Sequence, residues 1–153
     1  MSPLAFALIA FLHLLGVVLA IPAVLARGVF LRRGLDDARA KRAALLLDGW
    51  WGLSALIVFP SGLYRVFTLG KGVAFYLNNP FFIAKMTLFG VVFALEVWPM
   101  IELIRERIVE RKGHTILTPT KVRAIAGISF AQSALLIVVL FCAAMMARGV
   151  GQR

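Results

Sequence analysis

The chain has 153 residues, 61% of them hydrophobic and only 16% charged, and its 17 Lys and Arg against 7 Asp and Glu give a formal net charge of +10. A soluble domain carries about a quarter of charged residues, and a globule of this size has too much surface for its volume to hide so many apolar side chains. A soluble globule is excluded. So is the nucleic-acid-binding role that a basic soluble protein would suggest, because the cations are gathered in particular connections between apolar runs.

The runs cover about Pro3–Ala26, Leu45–Leu63, Phe81–Leu103 and Ala124–Ala147. Each suffices for the roughly 20 helical residues that cross a bilayer core. An open sheet edge cannot be left in lipid, and the two-residue alternation of a barrel strand is missing. The expectation is an all-α polytopic protein: one four-helix transmembrane domain over residues 1–153.

The first run lacks the basic leading region of a signal peptide, so it reads as an uncleaved span. It holds His13 near its middle, a Gly16/Ala20 face suited to helix contact, and Pro22. The first loop, RGVFLRRGLDDARAKRAALLLDG, turns at Arg33-Gly34, and Asp36 or Asp37 caps the next helix. Asp48, Trp50 and Trp51 follow at the near boundary of the second span, the tryptophans as interfacial anchors. Pro60 and Pro99, like Pro22, lie near span ends and are expected to kink or terminate their helices.

Beyond the third span, Glu102, Glu106 and Glu110 alternate with Arg105, Arg107 and Arg111, as in a helix continued by pairs three and four residues apart. Gly113 ends it, Thr118-Pro119 opens the fourth helix, and Gly127 with Ala131 forms a second small-residue face. Cys142 is the single cysteine, which rules out an intrachain disulfide or a Cys-based metal site.

Charge sets the expected orientation. The first loop carries Arg27, Arg32, Arg33, Arg39, Lys41 and Arg42, and the third Arg105, Arg107, Arg111, Lys112, Lys121 and Arg123. The positive-inside rule assigns both to the cytoplasm, touching anionic lipid heads. Both termini and the second connection would then face the periplasm from a bacterial inner membrane.

Ionisable groups inside spans are costly, and each is a functional candidate. His13 is a candidate axial ligand of a haem iron, a proton carrier, or a hydrogen-bond partner of Ser54, Gln132 or Ser133. His114, in the third loop, lies too far away to be a second ligand within one chain. Glu96 has no evident cation within the spans, which suggests a proton or quinone site or a bond to Gln132; Asp48 reads as an interfacial pair partner.

The second connection, GLYRVFTLGKGVAFYLNNPFFIAKMTLF from Gly62 to Phe89, gathers Arg65, Lys71 and Lys85. They could hold a haem propionate, a lipid phosphate or another carboxylate, or snorkel to headgroups. Tyr64 and Tyr76 are interfacial anchors or cofactor contacts. Asn78-Asn79-Pro80 is a turn and cap. Gly70-Lys71-Gly72 lacks the pattern of a phosphate loop. No catalytic residues are assigned.

This segment, followed by LEVWPM, resembles the DUF2214 family of small four-helix bacterial membrane proteins. The motifs are an early histidine in the first helix, GLxRVF, KGxxxYxxNPFFxxK and a late proline in helix three. They are met here by His13, Gly62, Arg65, Lys71, Tyr76, Asn79, Pro80, Lys85 and Pro99. LAIPAVLARG, in the second half of the first helix, lacks the acidic residue usual there. The resemblance implies no activity. A more distant likeness in size, topology and His13 is to HemJ-type membrane proteins, which resemble protoporphyrinogen oxidases that bind haem b.

The leading expectation is therefore a redox-associated subunit with haem b on His13 and propionates near Arg65, Lys71 and Lys85, Tyr76 adjoining. The alternatives are an accessory subunit in a larger membrane complex or homo-oligomer, and a proton-coupled transporter component lined by Glu96 and Gln132. The Gly62–Phe89 site is expected to exclude Glu96.

Overall fold

A computed structural model describes residues 2–34, 37–69 and 76–151. They form four long helices, α1 (Pro3–Arg32), α2 (Ala38–Tyr64), α3 (Pro80–Glu110) and α4 (Pro119–Ala147), with a π-helical turn, Arg65–Leu69, continuing α2. All four are long and apolar enough to cross a membrane. At 1.5 Å per residue, helices of 27 to 31 residues exceed the roughly 30 Å hydrocarbon core, so their ends reach the headgroups. The chain is an all-α, four-helix membrane protein.

Local chemistry sets the helix starts. Ser2, Asn79 and Thr118 each cap a helix through the side-chain oxygen and are followed by proline at the first helical position. The missing proline N–H costs nothing there, since the first-turn amides have no helical partner. Asp37 caps α2, accepting from the amides of Arg39 and Ala40 at 2.9 and 3.1 Å; Asp36, the alternative, lies outside the described residues. Gly34 and Gly113 take positive φ, +97° and +78°, after α1 and α3, where side-chain-bearing residues are disfavoured.

Pro22, Pro60 and Pro99 end no helix: all three lie inside helices that run on beyond them. Proline is tolerated in a membrane helix where neighbouring groups satisfy the freed carbonyl.

The helices run up and down, so α1 and α3 end, and α2 and α4 begin, at one end of the bundle. This basic end carries Arg32, Arg33, Arg39, Arg42 and Arg111; the opposite, terminal end carries Ser2 and Gly151. α1 packs on α2 and α4, α4 also packs on α3, and α2 meets α3 much less. The α1–α2 approach is close at Gly16, where a Cβ would fall 2.7 Å from the Val58 side chain. Gly127 differs: a Cβ there would meet no atom of the described residues within 4 Å, and Ala131 is exposed, so the expected second small-residue face makes no contact among the described residues.

Two apolar clusters make the interior. One, at the basic end, joins Leu31, Ala44, Leu45, Leu103, Val122 and Ile125. The other, at mid-depth, joins Ala20, Val24, Trp51, Val92 and Leu136. Both tryptophans, expected at the boundary, lie near the middle of α2: Trp50 is exposed, whereas Trp51, one residue on, points inward and is buried. Consecutive helical residues lie about 100° apart, so one dipeptide cannot anchor both rings at the lipid surface.

At the terminal end the buried Asn79 caps α3 and also donates to the Val150 carbonyl at 3.2 Å. Gly151 (φ +82°) rests so closely on Phe81 that a Cβ would come within 2.9 Å of the ring. The chain's last described turn is thereby fastened to the start of α3.

Candidate functional site

Two groups of polar side chains stand out, one in each half of the bundle. The first centres on Arg27, which the sequence reading assigned to the first loop. It lies inside α1 and is fully buried. Its Nη1 donates to Asp48 at 2.8 Å and to Glu96 at 2.7 Å; its Nη2 donates to Glu96 at 2.8 Å and Gln132 at 3.0 Å; its Nε donates to Ser129 at 3.0 Å. These five bonds use all the N–H donors a guanidinium has, and the Glu96 pair is bidentate. Gln132 in turn donates to Glu96 at 2.9 Å and the Val92 carbonyl at 3.1 Å. Arg107 donates to the second Asp48 oxygen at 2.7 Å and to the Leu45 carbonyl.

The network touches all four helices and balances two cations against two carboxylates. It corrects the view of Glu96 as an acid without a cation. Arg27 lies one residue beyond the apolar run ending at Ala26, and only the antiparallel register brings it level with Glu96. Asp48 likewise is buried between two arginines rather than at an ordinary interface.

Towards the basic end the pattern repeats. Glu106, fully buried, pairs with Lys41 at 2.5 Å and accepts from Thr115 Oγ1 at 2.6 Å and the amides of Ile116 and Leu117 at 2.8 and 3.2 Å. Glu102 pairs with Lys121, and Glu110 also reaches Lys41. Glu102, Glu106, Glu110 and Arg107 of α3 thus bind other helices and the third loop, where pairs along one helix were expected. No buried side-chain N or O among the described residues lacks a partner.

The second group surrounds a cavity of about 580 Å³ in the terminal half. Its walls are largely aliphatic and aromatic, with contributions from all four helices and the π-helical turn, and Trp51, Ala20 and Leu136 form its floor. His13, Arg65, Tyr76 and Lys85 line it together. The four residues come together because His13 lies on the terminal side of the middle of α1, and Arg65 and Lys85 flank the second connection. Lys71 lies outside the described residues. Glu96 does not line the cavity, in keeping with separate sites.

Aromatic contacts shape one wall. Tyr76 and Phe82 are tilted with centroids 5.2 Å apart, and Lys85 Nζ stands 5.2 Å from the Phe82 centroid, within cation–π range. Across the sparse α2–α3 junction Phe59 and Phe89 stack at 6.5 Å.

His13 Nδ1 is 3.0 Å from Ser61 Oγ. This replaces the expected partners: Ser54 donates to the Trp50 carbonyl, Ser133 to the Ser129 carbonyl, and Gln132 belongs to the Arg27 network. The ring also lies over Gly62, where a Cβ would come within 3.1 Å of His13 Cε1. The sequence reading missed Ser61. A signal was present: a Ser-Gly pair one turn before Arg65, as far inside its helix end as a histidine contact needs.

No set of three or more His, Cys, Asp and Glu among the described residues could hold a metal ion by itself. Any metal at His13 would therefore have to arrive within a ligand supplying the remaining coordination.

The family described as predicted membrane protein (DUF2214) matches residues 5–151. No curated protein and no solved structure matches the chain.

Proposed function

The chain belongs to the DUF2214 family of predicted membrane proteins, and on that premise we propose that it binds a flat, apolar ligand with acidic substituents, haem b first among them, in the terminal cavity. The observation that carries this reading is one cavity lined by an imidazole, two cationic side chains and an aromatic wall. Its volume falls in the usual range of small-molecule sites, about 300–1,000 Å³. Arg65 and Lys85 suit carboxylates, the first through a bidentate fork and the second as a point charge. Phe82, Phe89 and Tyr76 suit an aromatic ring system, and His13 would hold the iron.

When bound, haem b would supply one-electron chemistry. The chain's own residues perform three tasks. His13 offers a nitrogen lone pair, Arg65 and Lys85 neutralise the acidic edge, and the Trp51, Ala20 and Leu136 floor keeps water from the opposite half. Lys71, two residues beyond Leu69, belongs to the same proposal by sequence. The positive-inside rule supports a bacterial inner-membrane setting with the cavity and both termini towards the periplasm. The open Gly127/Ala131 face supports packing against a helix of another copy or of a larger complex.

Transport through Glu96 and Gln132 gains no such support. Both are held by bonds within the Arg27 network, and a path would have to break them.

The test is optical. Detergent-purified protein titrated with hemin is expected to develop a Soret band, and His13→Ala to lose it while remaining folded by circular dichroism. A wild-type protein that stays spectrally unchanged by hemin overturns the haem reading.

A further inference from the structure

Ser61 donates its single hydroxyl hydrogen within α2, to the Ile57 carbonyl at 2.5 Å, with the Val58 carbonyl at 3.2 Å as the other acceptor in reach. Its oxygen is then left only lone pairs for His13 Nδ1, 3.0 Å away. With the hydroxyl hydrogen held by a helix carbonyl, two lone pairs cannot share that contact; the imidazole then donates, and Nδ1 carries the ring proton. In a neutral imidazole the other nitrogen is then the acceptor.

Gly62 settles which edge faces where. A Cβ at Gly62 would lie 3.1 Å from His13 Cε1 and 3.6 Å from Nδ1. The Cε1–Nδ1 edge therefore rests on α2 at a point where only glycine gives room. The opposite edge, with Nε2 and Cδ2, is turned away from that helix, and His13 lines the cavity.

We infer that Ser61 is a positioning residue, which with Gly62 locks His13 in the Nδ1–H tautomer and presents the Nε2 lone pair to the cavity. The ligand class follows: a group with an electrophilic metal centre or a hydrogen-bond donor opposite Nε2, and acidic substituents towards Arg65 and Lys85. A histidine that binds metal characteristically donates its other N–H to a fixed acceptor, which sets tautomer and ring orientation and raises basicity. The role of Nε2 towards a ligand rests on the binding reading above; the tautomer does not.

The two parts separate in one set of measurements. The chain has two histidines, so nitrogen-15 histidine labelling in detergent micelles yields two sets of ring signals, and His114→Gln assigns them. At about pH 8.5, well above the ordinary imidazole value of ~6.5, His13 is expected to show a protonated Nδ1 and a bare Nε2. Ser61→Ala is expected to lose that bias and Ser61→Thr, which keeps the hydroxyl, to retain it. In hemin titrations Ser61→Ala is expected to bind about ten-fold more weakly, the usual scale for losing a partner behind a metal ligand, and Ser61→Thr within about two-fold of wild type.

A wild-type His13 protonated on Nε2, or a tautomer indifferent to Ser61→Ala, overturns the inference; the first requires only wild-type protein. Equal hemin affinity despite a switched tautomer overturns the positioning role. A tautomer that follows Ser61 in a protein giving no Soret band upholds the lock on His13 and sinks the haem reading alone.

Discussion

The two halves of the bundle treat buried polar groups in opposite ways. In the basic half every donor of Arg27 is taken, both carboxylates around it are shared, and Glu106 ties down a loop with four partners. In the terminal half His13, Arg65, Tyr76 and Lys85 converge on a cavity instead of on one another. The same bundle thus holds a set of mutually paired charges in one half and a set of polar side chains lining a cavity in the other. α2 and α3 follow the same division: ion pairs join them at the basic end, whereas towards the terminal end they contribute opposing cavity walls.

The sharpest way to break this contrast is to remove the centre of the closed set. Arg27→Met leaves Asp48 and Glu96 buried with one cation fewer, and should cost about 3–5 kcal/mol of stability. Adding Asp48→Asn and Glu96→Gln should restore much of it, because neutral partners no longer demand a counter-charge. Reversible unfolding in mixed micelles measures both. A single variant as stable as wild type would mean that the charges are not working as a unit.

Smaller effects are expected in the open set, and on binding rather than folding. Arg65→Gln and Lys85→Gln should each weaken hemin about ten-fold, or ~1.4 kcal/mol, with unfolding nearly unchanged. A stability loss matching that of Arg27→Met would erase the distinction between the halves.

The smallest effect sharpens the rim of the cavity. Asn79→Ala removes the α3 cap and the bond to Val150, and should cost about 1 kcal/mol. Faster amide exchange confined to residues 79–83 and the C-terminal turn is the signature. Exchange spread over the whole bundle would show that the cap holds more than the rim.

Much of the fold was legible because hydropathy, capping and proline placement are local. Ser2-Pro3, Asn79-Pro80 and Thr118-Pro119 announce their helices from adjacent residues. Arg65, Tyr76 and Lys85 could be gathered because they lie in one connection, whereas His13, read near mid-span, joins them only through the packing of α1 on α2. Arg27 could not be placed so easily. Hydropathy ended the first span at Ala26, whereas the helix continues to Arg32 because polar partners on three other helices replace the water that Arg27 gives up. Trp51 was misread for a related reason: its depth depends on how far α2 runs back from the apolar stretch, to Ala38, and its rotational position about a helix with so weak an apolar bias is not visible in the sequence. Pairing across helices, as in Glu106 with Lys41, is equally a matter of tertiary register.

The order in which the partners of Arg27 leave the ribosome adds another consequence. Asp48 follows it by 21 residues, Glu96 by 69, and Ser129 and Gln132 by more than 100. A chain that has inserted only its first hairpin can offer the guanidinium a single carboxylate, and an incompletely satisfied arginine in lipid is costly. The last donors are satisfied only when the fourth helix arrives. Arg27 thus makes stable residence in the bilayer conditional on completed synthesis, and a chain truncated before α4 should be marked for removal by the quality-control proteases that recognise unassembled membrane segments.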